Sequence, residues 1–362
     1  MAQLRLKISF AVSALVIVSV AIFCCRLRFF PSNPKVSICI PVYNCEKYIA
    51  AALDSAIGQT LKNIEIVCVD DGSTDGTAAI LNSYAARDRR IRLFSNGTNR
   101  GTLYSRLRAI LESRGKYITW VDADDELYGD IAKLAYGRAV KSGADIVIFN
   151  ADVYSRNGSK NRAVERFVNL RLGDINGPRS VVELIDLFRR EKRLWLTCWC
   201  KLYRTSNLRK MALDLLPYAT ANRISFFDDN IFIWYALKNS NTYAALDKVG
   251  YRYIAMDGIG VNVNNRERVD GIIAVQRKIL SDEKTNDAVA SAMEYTSRHD
   301  QMAINIICSL PRPDGFAVFD DYLDSMPQQF ATKVMDAVAK KDRKFLDAYV
   351  NYKTRGETGG DN

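Results

Sequence analysis

Three groups of carboxylates stand where this chain could do chemistry: Asp70-Asp71, Asp122-Ala123-Asp124-Asp125 and Asp228-Asp229. The first two follow directly on apolar runs, so each caps a candidate strand with paired negative charge. Like charges crowded in one cleft are costly unless a cation or hydrogen-bond donors compensate. A divalent ion such as Mg or Mn, held by one or two carboxylates and by phosphate oxygens, is the natural resident. Histidine chemistry has little room, because His299 is the only histidine and multi-histidine metal sites are excluded. The eight cysteines show no zinc or redox spacing. No G-x-G-x-x-G or G-x-x-x-x-G-K-[ST] stands at the strand ends, which removes sequence support for dinucleotide or Walker-type phosphate binding.

The elements that must position these groups alternate. Strands are expected at Val36–Ile40, Ile64–Val69, Ile91–Phe94, Lys116–Val121 and Asp145–Phe149, and helices at Glu46–Ile57, from Thr74 or Asp75 to Ala86, at Thr102–Ser113 and at Ile131–Ser142. This order predicts an α/β fold with a mainly parallel, Rossmann-like sheet covered by helices. Ligands of such sheets sit off the carboxyl ends of the strands. The loops Pro41 to Asn44, Asp70 to Gly76, Asn99 to Gly101 and Asp122 to Asp125 would therefore open onto one edge.

The run VSICIPVYNCEKYIAAALDSAIGQTLKNIEIVCVDDGSTDGT, followed by NRGTLYSR and GKYITWVDADD, closely resembles the family 2 glycosyltransferases, which have the A-type nucleotide-sugar fold. The resemblance covers residues 36–150, and further on WCKLYR (Trp199 to Arg204) and FFDDNIF (Phe226 to Phe232) are similar to stretches of capsular and lipopolysaccharide-type members. It implies a nucleotide-sugar site in which Pro41, Tyr43 and Asp71 hold the base and ribose. Asp124 and Asp125, with Asp122 next, serve ribose and metal, and Arg106 lies near the diphosphate. It also implies that Asp229 is the catalytic base, with Asp228 as its neighbour. These residue types suit the roles: a carboxylate can accept a uracil imide N–H, a tyrosine ring can stack on a base, and a guanidinium matches a diphosphate bidentately. The stretch Tyr253 to Val261 lacks the basic and serine-containing pattern of many relatives, so diphosphate contacts are not expected from it.

The resemblance thus implies an inverting, metal-dependent transferase. It would move sugar from a nucleotide-diphospho-sugar, with UDP-sugar the leading choice, to a glycan or lipid-linked hydroxyl. The alternative is a catalytically inactive glycosyltransferase-like protein that acts as a membrane partner. The donor sugar, the acceptor and the linkage are not legible.

Ile8 to Cys25 is an uncharged run between Arg5, Lys7 and Arg26, Arg28, long enough for a single membrane-crossing helix, with a cleaved signal peptide as the rival. Basic residues flank it on both sides, so the count does not choose an orientation, and a bacterial inner membrane and a eukaryotic secretory membrane both stay open. The expected organisation is a flank at 1–7, an anchor at 8–25, a linker at 26–35, a nucleotide-sugar half at 36–150 and an acceptor and catalytic-base half at 151–263. A helical C-terminal region at 264–352, with Asp287 to Cys308 one of its helices, and a frayed tail at 353–362 complete it. The net charge of +10 is concentrated in the flank and in 156–210, which includes Arg189, Arg190, Lys192 and Arg193. That distribution, without a nucleic-acid recognition motif, points to membrane or lipid phosphate and to no nucleic acid.

Overall fold

β1 (Val36–Val42) is buried along its whole length because it lies between two parallel neighbours, β2 (Ile64–Asp70) and β4 (Tyr117–Trp120). In this computed structural model the described residues are 33–155, 157–162, 165, 169, 172–185, 197–255, 265–282, 300–310 and 314–358. β3 (Ile91–Ser95) pairs parallel with β2 and ends that side of the sheet. The helices expected in this half are present: α1 (Ile49–Ile57), α2 (Thr77–Arg87), α3 (Thr102–Glu112) and α4 (Ile131–Ser142). Strands buried on both faces read as continuous apolar runs, which is why these were legible.

The other side of the sheet departs from the expectation of a mainly parallel arrangement. The order is β3-β2-β1-β4-β8-β6-β9-β5, with β7 also on β9, where β5 is Glu126–Leu127, β6 Ile146–Ser155, β7 Ile175–Ser180, β8 Lys201–Arg204 and β9 Thr242–Ala255. β8 lies antiparallel to both β4 and β6, and β5 and β7 lie antiparallel to β9. The sheet is therefore mixed. β8 leaves at the amino edge of the sheet straight into α5 (Thr205–Ala221), so it must run against its neighbours. β8 seats the KLYR part of WCKLYR in the sheet's middle, and β6 runs through residue 150, so a boundary there would cut one sheet.

Beyond the sheet, α6 (Asp228–Lys238) packs into the main core, whereas α7 (Asn265–Ser281), α8 (Asp300–Ser309), α9 (Asp314–Leu323), α10 (Gln328–Lys341) and α11 (Arg343–Thr358) build a second core around Val269, Phe319, Tyr322 and Phe345. These five helices fall in the segment read as helical, and α11 runs to Thr358 where a frayed tail was expected. Of the helix expected from Asp287, the part before Asp300 lies outside the described residues, as do the run 8–25, the tail from 359, residues 256–264 and the basic cluster Arg189 to Arg193. Among the described residues no helix is long and apolar enough to cross a membrane.

Candidate active site

The loops at the carboxyl edge interlock through side chain to backbone hydrogen bonds. The amide of Asn44 donates to Ser73 Oγ at 3.0 Å, the amide of Thr74 to Asn44 Oδ1 at 2.8 Å and the amide of Gly76 to Glu46 Oε2 at 2.8 Å, so the loops after β1 and β2 form one unit. Pro41 is buried within β1, opposite Val69 of β2. Tyr43, just past it, is 40% exposed, as a ring offered to a ligand would be. Asp71 is buried, and its Oδ1 accepts from Asn96 Nδ2 at 2.7 Å and the Arg100 amide at 2.9 Å, while Oδ2 accepts from the Gly101 amide at 2.9 Å. Burial pushes its carboxyl up while these donors pull it back. Asp71 therefore braces the Asn99–Gly101 loop. Gly101 sits at φ +93, and a Cβ there would lie 2.7 Å from the carbonyl oxygen of Ile224, so only glycine suits this close approach.

Asp122 to Asp125 form a tight turn, closed by the Asp125 amide donating to Asp122 O at 3.0 Å. Asp122 and Asp124 are half-buried. Burial, with the Asp122 charge beside it, pushes the Asp124 carboxyl up to about 7. Asp125 differs: it is 1% exposed, with Oδ2 accepting from Tyr251 Oη at 2.8 Å and Oδ1 from the Ile254 amide at 2.8 Å. Its carboxyl is likewise pushed up, first by burial and then by the charges of Asp124 and Asp122. Both oxygens are committed to β9 and closed to solvent, so Asp125 does not sit where the sequence reading placed it, as a metal ligand. It is a strut under the turn. Tyr251 completes the strut by accepting the Asp122 amide at 3.1 Å.

Arg106, on α3, is 3% exposed and lies in the middle of the carboxylates. Its Nε donates to Asp228 Oδ2 at 2.8 Å, and its Nη2 donates to Asp122 Oδ1 at 3.0 Å and lies 3.6 Å from Asp229 Oδ1. Nη1 is buried without a hydrogen-bond partner, and the group lies over the Trp120 ring at 5.4 Å. Where the resemblance implied an arginine near a diphosphate, three carboxylate oxygens of the protein's own acids surround this guanidinium. Asp229 lies in the first turn of α6, which starts after Phe227 at φ 68, and its Oδ1 accepts the Cys198 amide at 3.2 Å. Burial raises its carboxyl to about 6, with Arg106 pulling down and Asp228 and Asp122 pushing up.

The WCKLYR segment holds both halves of this arrangement. Trp199 stacks on Tyr251 at 4.6 Å and on Tyr253 at 5.1 Å, which steadies the tyrosine that braces Asp122 and Asp125. Lys201 is buried, donates to the carbonyls of Thr197 at 2.6 Å and Trp199 at 3.3 Å, and its ammonium is held below the usual lysine range by desolvation. Tyr203 Oη donates to Cys198 O at 2.9 Å, fixing the peptide whose neighbouring amide reaches Asp229.

The structure therefore brings Arg106, Asp122, Asp228 and Asp229 together at one guanidinium, with Asp124 on the same turn, and places Pro41, Tyr43 and Asp71 on the adjoining loops. Tyr251, Trp199 and Lys201 were missed as functional supports. For Trp199 and Lys201 the signal was the WCKLYR motif itself, whose purpose is visible only once β8 sits between β4 and β6 with β9 beyond. A metal would find a partial site: among the described residues no three His, Cys, Asp or Glu side chains converge on one point. The raised carboxyl of Asp124, uncompensated by any direct cation contact, fits a hard ion completed by donor phosphate oxygens.

Residues 37–212 match the profile described as Glycosyl transferase family 2. Over 190 residues the chain is 34% identical to Glycosyltransferase GlyA of Streptococcus pneumoniae, covering 51% of this chain and 26% of GlyA. It is 29% identical over 262 residues to the succinoglycan biosynthesis protein ExoO of Rhizobium meliloti, covering 72% of each. The chain thus spans about a quarter of GlyA's length and 72% of ExoO's. The crystal structure of S. aureus TarS 1–349 superposes with a TM-score of 0.59 at 21% identity, over 88% of this chain and 87% of that one, a likeness of fold. The mixed sheet and the strand-end carboxylates agree with this profile, so residues 37–212 resemble a family 2 glycosyltransferase domain and share the fold of TarS.

Proposed function

We propose that the protein moves a sugar from a UDP-sugar to a hydroxyl of a glycan or lipid-linked acceptor, with inversion at the sugar carbon and with a divalent metal as cofactor. The observation that carries this reading is the Arg106 bridge, which puts the donor turn at Asp122 and the candidate base Asp229 on one side chain. TarS has been solved with UDP and with UDP-GlcNAc, which supports UDP as the nucleotide. Tyr43 offers the ring for the base, and the Asp71-braced loop shapes the pocket beside it. Asp124 would hold the metal, assisted by Asp122, and the metal would supply charge neutralisation for the leaving diphosphate. Asp229, with a carboxyl near about 6, is ionised at neutral pH and basic enough to take the acceptor hydroxyl proton during a single in-line displacement. Arg106 keeps that carboxylate oriented toward the donor turn.

The uncharged run at 8–25 supports a membrane-anchored protein. Incubating the full-length protein with a panel of UDP-sugars, with and without Mn, tests the function. Wild type is expected to turn over at least one donor in a metal-dependent way, and Asp229→Asn to retain UDP binding while transfer falls by about 10²–10⁴. Transfer by Asp229→Asn at the wild-type rate would remove the base assignment. UDP binding by wild type with no turnover of any donor would favour the non-catalytic membrane partner.

A further inference from the structure

The sheet carries a second charged edge opposite the carboxylates. Register fixes which residues meet there: Val36 pairs with Ile64 and with Tyr117, and Tyr117 pairs with Arg204. Just outside this line the amide of Lys35 donates to Asn63 O at 2.9 Å, the amide of Lys116 to Pro34 O at 3.0 Å and the amide of Thr205 to Lys116 O at 3.1 Å. Arg209, in the second turn of α5, reaches the carbonyl of Ser113 at the end of α3. Lys35, Lys62, Arg114, Lys116, Arg209 and Lys210 are all exposed along this amino edge. Among the described residues none of the six forms an ion pair, whereas the acids of the same edge are engaged by other arginines: Asp88 by Arg90, Glu65 and Glu112 by Arg92, Asp145 by Arg204. The edge is therefore a surface of uncompensated positive charge.

Chain direction adds an independent observation. The described chain enters the fold at Asn33, whose carbonyl is bound by Asn63 Nδ2 at 3.3 Å on this same edge, and the uncharged run 8–25 ends a few residues upstream. We propose that the amino edge of the sheet lies against an anionic lipid surface, and that the active-site edge consequently faces away from it. This rests on the membrane reading above. β1 spans seven residues, about 23 Å at 3.3 Å each. Attraction to anionic headgroups decays over a Debye length of about 8 Å, so the basic edge lies within its reach and the donor-binding edge outside it. That separation keeps an anionic nucleotide-sugar clear of headgroup repulsion. It also selects the acceptor: a growing glycan that extends well beyond the headgroups fits, and a sugar directly attached to a lipid phosphate does not reach.

Amide hydrogen exchange of the full-length protein in nanodiscs tests this, comparing phosphatidylcholine alone with a phosphatidylcholine and phosphatidylglycerol mixture. Peptides covering 33–36, 60–64, 113–117 and 204–211 are expected to gain protection only with the anionic lipid, while 70–76 and 122–125 do not change. The combined substitution Lys35→Gln, Lys62→Gln, Lys116→Gln and Lys210→Gln is expected to abolish the gain and to leave UDP binding intact. No lipid-dependent change at the amino edge would overturn the proposal, and so would protection at the carboxyl-edge loops. Equal protection by soluble duplex DNA over neutral lipid would overturn it as well, since the edge would then be a general polyanion surface. An alkaline carbonate wash reports the anchor separately: release of the protein would count against the anchor, while the exchange pattern still decides which edge meets the lipid.

Discussion

Replacing Arg106 by Gln separates two roles for this buried guanidinium, holding the base at its working acidity or binding the diphosphate. Nη2 lies 3.6 Å from Asp229 Oδ1. At an effective dielectric of about 20 a full pair at that distance is worth roughly 4.6 kcal/mol, or about 3 pK units. Arg106 is shared with Asp122 and Asp228, and the Asp229 side chain is 28% exposed, so about a third of that effect should survive, about 1 unit. A general base works deprotonated, so activity is lost as pH falls through its pKa. The acid limb of kcat should accordingly move from about 6 in the wild type to about 7 in the variant. Near pH 6.5 the variant should be roughly threefold slower from this cause alone, and the two curves should converge in alkali. The assay is release of UDP at saturating donor from pH 5 to pH 9, with Arg106→Lys as a control that keeps the charge. A limb unmoved in Arg106→Gln, with a uniform loss at every pH, would refute the argument and assign Arg106 to the diphosphate.

Asp124 and Asp125, neighbours in one turn, should respond oppositely: Asp125→Asn keeps metal-dependent UDP binding within about tenfold, as a supporting residue would, whereas Asp124→Asn loses it, measured by calorimetry with and without Mn. Asp125→Ala strands Tyr251 Oη and the Ile254 amide and should lower unfolding stability by about 3 kcal/mol in urea melts. Because the Asp124 carboxyl is raised from 3.8 to about 7 by folding, the native state binds more protons than the unfolded state in that window, and stability falls as pH rises through it. Thermal melts should therefore show Asp124→Asn gaining on wild type at pH 8 relative to pH 4, with Mn narrowing the gap. A Cβ at Gly271 of α7 would lie 2.9 Å from Phe226 O, two residues before Asp228. Gly271→Ala should lower kcat about tenfold with the UDP Kd unchanged, because it displaces the base and not the nucleotide loops.

Much of the donor-side half was legible. Expected and observed helix and strand positions agree closely from Val36 to Ser142, since each element there carries its own apolar period and its own punctuating residues. The strand-end position of Asp71 and of the Asp122–Asp125 turn followed from that pattern alone. What was not legible lies in pairings between distant segments. The antiparallel insertion of β8 depends on where an excursion of some fifty residues returns, and no local period encodes a return point. Arg106 looked like a ligand-facing arginine until α6 and the donor turn closed around it. Asp125 looked equivalent to Asp124 until β9 supplied Tyr251 and the Ile254 amide to one of them and not to the other.

The amino-acid order by itself determined the class of chemistry, because the acids sit directly after apolar strands and the edge of a sheet converts that adjacency into a shared site. Tertiary structure alone decided the division of labour among those acids. A carboxylate's role depends on its burial and on which donors reach it, and those donors come from Arg106, Cys198, Tyr251 and Ile254, segments that meet only when the mixed sheet closes. The same holds for the charge. Basic residues from separate parts of the chain form one edge opposite an acidic one because strand pairing and the helix after β8, which no single segment carries, bring together residues as far apart as Lys35, Lys116 and Arg209.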